Sequence, residues 1–201
     1  STSTTMELPK WLTAPPGSWS WGRVYSVVTD QIQLWSLSRL QLLRTIQLPK
    51  PPEGNQNEYP AEPVILGDGS YYVNTFNCGL YHITDVTTPH PRATFVHAFP
   101  GGASPMTGCA VPVIVGHYWI EPAAVLPGLI ALDISNPDKP VEVSRLTLDR
   151  AFAMPHWLAT DASANRIVLT GSDQGYVLIV NVNPRTGALS LDRNFRDERT
   201  G

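Results

Sequence analysis

The chain has 201 residues, of which 42% are hydrophobic and 15% are charged, with a formal net charge of −3. It can bury a sizeable core, but it has no basic field that would hold nucleic acid or an acidic membrane surface. No run of about 18 apolar residues occurs, so we expect no membrane span. The first residues lack the basic and apolar segments of an intact signal peptide, which leaves the cellular compartment open.

A turn signal recurs along the chain at almost constant spacing. Anchored on Ser36, Asp85, Asp133 and Asn181, its steps are 49, 48 and 48 residues. A repeat in the forties that is carried by short strands is typical of β-propeller blades. The 19 prolines and 15 glycines supply turns and interrupt any helical pattern. We therefore predict an all-β propeller of four-stranded antiparallel blades, with no helix.

Four such blades account for almost the whole chain. Their predicted bounds are residues 8–54, 55–103, 104–150 and 151–201. The last blade shows the pattern most clearly, with strands expected at 157–160, 166–170, 176–182 and 189–195 between turns rich in Asp, Asn, Gly and Pro. Four blades can close a ring by themselves, but rings of six to eight blades are commoner. We therefore expect part of a larger ring or self-association of partial rings, with a closed four-blade ring as the open alternative.

The two cysteines, Cys78 and Cys109, are too few for a disulfide-dense secreted scaffold. They could pair, but a core of this size does not need the link. The sequence therefore favours two free thiols, with pairing as the open alternative.

Three segments carry a resemblance to known propellers: CGLYHITD (from Cys78), GLIALDISNPDKPVEVSRL (from Gly128) and AMPHWLATD (from Ala153). They resemble the selenium-binding protein and methanethiol oxidase group, and the second is also similar to the LVIVD repeat of bacterial surface propellers. The resemblance covers roughly residues 60–197. It implies a multi-bladed ring. Some members of the group bind a metal such as copper through histidines and oxidise a small thiol.

Blade topology assigns the chemically active side chains to the two ends of the predicted ring. The end that carries the connections between blades is expected to collect Glu62, Cys78, His97, Cys109 and His156. His156 is the sharpest candidate, because the equivalent positions of the other blades carry no histidine and an imidazole at a channel mouth can bind metal or transfer protons. We predict His156, Glu62 and Cys109 as metal ligands, with Cys78 and His97 as further candidates.

The remaining histidines have simpler interpretations. His82 is expected to be a packed strand residue, His90 a solvated turn residue and His117 a residue packed beside aromatics at the opposite end. The repeated Asp85, Asp133 and Asn181 are expected to cap turns. No catalytic serine elbow, phosphate loop or dinucleotide motif is recognisable.

Three functions remain open at this point. The first is a metal-assisted oxidoreductase that acts on a small sulfur compound. The second is a non-catalytic propeller that binds a protein or small ligand, for example through the loop at residues 15–22. The third is a lactonase-like hydrolase, which would need a calcium ion held by several carboxylates and amides at the channel.

Overall fold

A computed structural model of the protein describes residues 20–22, 30–36, 38–101, 108–148, 154–161, 165–171, 175 and 177–195. Within these residues the chain forms fifteen strands in four antiparallel sheets, without a helix. The all-β prediction is therefore confirmed. Among the same residues, no helix has the length and apolar character needed to cross a membrane.

Each sheet is one blade, and its strands lie side by side in chain order. Blade 1 contains β1 (Ser20–Gly22), β2 (Gln31–Ser36) and β3 (Gln41–Gln47). Blade 2 contains β4 (Pro60–Ile65), β5 (Tyr71–Thr75), β6 (Gly79–Thr84) and β7 (Arg92–Ala98). Blade 3 contains β8 (Val113–Val115), β9 (Tyr118–Ala123), β10 (Gly128–Asp133) and β11 (Val141–Thr147). Blade 4 contains β12 (Pro155–Thr160), β13 (Arg166–Gly171), β14 (Val177–Val182) and β15 (Leu189–Leu191).

The cores lie between neighbouring blades, because successive residues of a strand point to opposite faces of its sheet. In blade 2, Ile83 packs towards blade 1 while Leu80 packs towards blade 3. In blade 3, Leu132 packs towards blade 2 while Leu129 packs towards blade 4. A central blade is therefore apolar on both faces, which explains the nearly continuous burial of β6, β9 and β10.

A disulfide between Cys78 and Cys109 crosses the interface of blades 2 and 3, so the prediction of two free thiols is wrong. Cys78 lies in the β5–β6 turn, and Cys109 lies in the connection that leads to β8. Their Cα atoms are 5.0 Å apart, although 31 residues separate them in sequence. The Cys109 amide donates a hydrogen bond to the Phe76 carbonyl at 3.1 Å, which aligns the two segments. Both cysteines are fully buried.

A buried carboxyl group lies in the same interface. Glu121, on β9, is fully buried and accepts hydrogen bonds at 2.8 Å from Asn74 Nδ2 on β5 and from Trp119 Nε1. Burial raises its pKa to about 8, and the two hydrogen bonds offset only part of that effect. Asn74 Nδ2 also donates to the Ala110 carbonyl at 2.6 Å, so this amide links blade 2 to blade 3 twice.

We expect the double variant Cys78→Ala/Cys109→Ala to have a free energy of unfolding lower by about 2–4 kcal/mol, because the crosslink restricts the unfolded chain. Urea unfolding followed by circular dichroism measures the change. Since both sulfurs are buried, dithiothreitol should reduce the native protein only when urea is added. A double variant as stable as the parent, or rapid reduction of the native protein, would contradict the stabilising role.

We expect the contribution of Glu121 to the free energy of unfolding to fall as the pH rises from about 4.5 to about 8, because the unfolded state ionises Glu121 first while the folded state keeps it protonated. Glu121→Gln stays neutral and should lose this decline. The urea midpoints of parent and variant should therefore converge or cross between about pH 5 and about pH 9. Glu53→Gln, at an exposed loop position, is the matched control. An unchanged pH profile in Glu121→Gln would exclude the effect.

Candidate ligand site on the inner wall

A cavity of about 810 Å³ lies among the first strands of blades 2, 3 and 4. These strands, β4, β8 and β12, form the inner edges of their sheets, and most of the wall is apolar. The polar residues of the wall come from these strands and from neighbouring turns: Glu62, Asp68, His117, Ser135 and Thr160. Neither lysine nor arginine occurs among the described residues that line it. Apolar walls with a few convergent polar groups are typical of small-molecule sites.

Asp68 is held in place by its own hairpin turn. The Leu66 amide donates to the Ser70 carbonyl at 2.8 Å, and Gly69 takes a φ of 84° that favours glycine. Asp68 Oδ1 accepts hydrogen bonds from Ser70 Oγ at 2.5 Å and from the Ser70 amide at 2.9 Å. These bonds hold the pKa of Asp68 below its ordinary value. The cavity therefore contains an ionised and oriented carboxylate at neutral pH.

The hydrogen bonds continue from Ser70 into the next blade. Ser70 Oγ lies 2.8 Å from His82 Nε2, and His82 Nδ1 lies 2.8 Å from Asp138 Oδ1. His82 is on β6 of blade 2, whereas Asp138 is in the β10–β11 turn of blade 3. His82 is almost fully buried, as predicted for a packed residue, and its ring meets that of Tyr72 edge to face at 5.6 Å.

The structure brings one predicted metal ligand to the cavity. Glu62 lies within β4 and lines the wall. The sulfurs of Cys78 and Cys109 are bonded to each other, so neither is a thiolate that could bind metal. His156 is on β12, where its ring lies 5.0 Å from that of Trp157 and its carbonyl accepts the Val111 amide at 3.1 Å.

His97 lies far from the inner wall of its blade. It is on β7, at the opposite edge of the sheet from β4, and its ring packs on Phe99 at 4.8 Å. Burial lowers the pKa of His97, so it is neutral at physiological pH. Across the described part of the chain, no three His, Cys, Asp or Glu side chains converge as a metal site would require. Metal binding by Glu62 and His156 stays a prediction.

The structure shows a side-chain cap at one of the three predicted positions, where the Ser135 amide donates to Asp133 Oδ1 at 2.8 Å. The Asp85 carboxylate instead accepts from the Arg92 side chain at 3.0 Å. Asn181 instead lies inside β14. The cap of that turn is Asn183, whose Oδ1 accepts the Arg185 amide at 2.9 Å.

Sequence reasoning missed Asp68 and assigned His117 to packing alone. His117 does pack on Tyr118, with ring centroids 4.1 Å apart, but it also lines the cavity. The GDGS segment at residues 67–70 predicted only a hairpin turn. Its spatial neighbours His82 and Asp138 are distant in sequence, so the pattern could not indicate their contacts. The loop at residues 15–22 lies outside the described residues except for the backbone of β1.

The sequence matches no protein-family model and no curated protein. Solved structures do match. One is a hypothetical selenium-binding protein from Sulfolobus tokodaii, with 19% identity, a TM-score of 0.64, and coverage of 84% of this chain and 46% of that chain. Another is the periplasmic gluconolactonase PpgL of Pseudomonas aeruginosa, with 11% identity, a TM-score of 0.69, and coverage of 89% and 51%.

A third match is the β-propeller domain of Cps50 (Swd1) from Myceliophteria thermophila, with 12% identity, a TM-score of 0.54, and coverage of 80% of this chain and 51% of that chain. The chain thus spans about half the length of these three structures. At such identities the similarity establishes the fold alone. The chain has a β-propeller fold.

Proposed function

We propose that the cavity binds a small neutral or cationic molecule that carries hydroxyl or amino groups. The observation that supports this is the pair of carboxylic side chains, Glu62 and Asp68, in a wall with no lysine or arginine among its described residues. A phosphate or carboxylate ligand would be repelled by this wall. Hydroxyl and amino groups, in contrast, donate hydrogen bonds that carboxylates accept.

Hydrolysis of a neutral sugar lactone is the reaction that we favour. One matched structure is named a gluconolactonase, and a lactone exposes both hydroxyl groups and an electrophilic carbonyl. Glu62 would bind the hydroxyl groups or orient the attacking water. The Asp68 carboxylate is oriented by hydrogen bonds from the amide and the hydroxyl of Ser70. We rank the lactonase-like hypothesis first because Asp68 adds a second carboxylate to the cavity beside Glu62, and the sequence had not indicated it.

Metal-assisted oxidation of a small thiol is the second candidate. It is supported by the match to a selenium-binding protein and by the sequence resemblance. The disulfide removes two of its expected sulfur ligands, so Glu62 and His156 would have to bind the copper together with further groups. A purely binding propeller, which would recognise a protein or small molecule without reaction, is the third.

We expect the protein to hydrolyse glucono-1,5-lactone faster than its 6-phosphate, as measured by acid release in a pH-stat. Glu62→Gln should lower kcat/KM for the neutral lactone at least about tenfold, which corresponds to about 1.4 kcal/mol of lost transition-state binding. Glu53→Gln is the control. Preference for the phosphorylated lactone, or full activity in Glu62→Gln, would contradict the proposal.

A separate measurement tests the second candidate. Copper content is determined after loading and dialysis, in the parent and in His156→Ala. One copper per chain that is lost in the variant, together with oxidation of methanethiol, would favour thiol oxidation over lactone hydrolysis. If the protein binds no copper and turns over neither substrate, the result would favour the third candidate, a propeller that binds a ligand without a reaction.

A further inference from the structure

Three residues that are distant in sequence form a continuous Ser–His–Asp array between blades 2 and 3. Ser70 ends the β4–β5 turn, His82 lies on β6, and Asp138 lies in the β10–β11 turn. The distances are 2.8 Å from Ser70 Oγ to His82 Nε2 and 2.8 Å from His82 Nδ1 to Asp138 Oδ1. These are the contacts that a serine nucleophile, its general base and an orienting carboxylate make on unrelated folds.

We propose that Ser70 is a nucleophile for acyl transfer, with His82 as its general base and Asp138 as the residue that orients the imidazole. In the structure the Ser70 hydroxyl donates to Asp68 Oδ1, so activation requires this hydroxyl to turn towards His82 Nε2, 2.8 Å away. When His82 Nδ1 donates its proton to Asp138, Nε2 presents the lone pair that accepts the hydroxyl. The carboxylate thereby selects the tautomer that the reaction requires. No strand-to-helix elbow is needed, because the hairpin turn itself carries the serine.

The surroundings hold the array in this arrangement. The His82 ring is 4% exposed and is packed against Tyr72, so it has little freedom to rotate. The Tyr72 hydroxyl donates to the Pro137 carbonyl at 2.7 Å, which anchors the residue before Asp138. Ser70 is only partly buried, and Asp68 of the same turn lines the cavity. A substrate in the cavity would therefore contact the turn that carries the proposed nucleophile, although Ser70 itself is not a lining residue.

Asp68 determines the class of substrate. Its Oδ1 accepts the Ser70 hydroxyl at 2.5 Å, but a carboxylate is a weaker base than an imidazole. In the proposed reaction the hydroxyl therefore turns from Asp68 to His82, which removes the proton. The Asp68 charge repels anionic substrates at this position. The array is suited to a neutral or cationic carboxylic ester.

The reaction has two balanced steps. Ser70 Oγ forms a bond to the ester carbonyl carbon, and its proton moves to His82 Nε2 and then to the departing alcohol as the carbon–oxygen bond breaks. Water then attacks the acyl-serine, His82 again removes a proton, and the carboxylic acid leaves while Ser70 recovers its hydrogen. The inference does not rest on lactone hydrolysis, because a covalent probe reports on Ser70 whether or not the cavity binds a sugar lactone.

The test uses the full chain and diisopropyl fluorophosphate, a neutral probe whose fluoride is displaced by an activated serine. We expect one adduct per chain by intact mass, located on Ser70 by peptide mapping and absent in Ser70→Ala. His82→Gln and Asp138→Asn should each slow labelling by about a hundredfold or more. Ser190→Ala, at an exposed strand position, should label at the parent rate. Turnover of 4-nitrophenyl acetate should follow the same order.

Asp138→Asn keeps the proposal falsifiable if His82→Gln does not fold, because the Asp138 side chain is 71% exposed and its amide analogue preserves its shape. Circular dichroism and the urea midpoint establish that each variant is folded. No adduct on the folded parent, an adduct on another residue, or labelling that is indifferent to Asp138→Asn would overturn the proposal. The array would then serve only to join blades 2 and 3. Loss of lactone hydrolysis in Glu62→Gln with normal labelling of Ser70 would separate the two sites.

Discussion

Burial of apolar side chains between neighbouring sheets is the interaction on which the rest of this structure depends. A strand whose residues alternate between two apolar faces cannot be stable in a sheet that is exposed on one side. Blades 2 and 3 are therefore each held between two neighbours. Burying a polar side chain between two blades removes it from water, which costs free energy unless the side chain forms a hydrogen bond within the interface. The candidate sites consist of such interface hydrogen bonds.

Three interactions of different chemistry connect blades 2 and 3 at their interface. The disulfide lies near one end, the buried Glu121 carboxyl bonds to Asn74 within it, and the His82 array spans the two blades at the turns. Together they fix the relative position of β4 and β8, which form two sides of the cavity. Packing thus positions the inner wall, and the hydrogen bonds orient the carboxylates and the serine that lie along it.

The outward faces of the first and last blades differ in character. On blade 4, Trp157 is 55% exposed and Val177 is 46% exposed. On blade 1, the outward residues Gln31 and Gln47 hydrogen-bond to each other at 3.1 Å. The buried faces of all four blades nevertheless follow the same alternation, so the inner wall is organised in the same way from blade 2 to blade 4.

Local patterns in the sequence determined the blades, because strand alternation and turn chemistry depend on residues that are close along the chain. The predicted strands of blade 4 lie within two residues of β12, β13 and β14, whereas β15 ends earlier than expected. The repeat also misplaced one cap by two residues, at Asn181 instead of Asn183. Glu62 was recognised as an inner-wall residue because strand order alone places it there.

Only the tertiary structure decided which side chains meet. Pairing of Cys78 with Cys109, burial of Glu121, and the contact of His82 with both Ser70 and Asp138 all depend on how one blade docks against the next. The composition of a hairpin turn cannot reveal a histidine on another strand or a carboxylate in another blade. The sequence by itself determined a repeated β architecture, and the angle and register between its blades determined the chemistry of the inner wall.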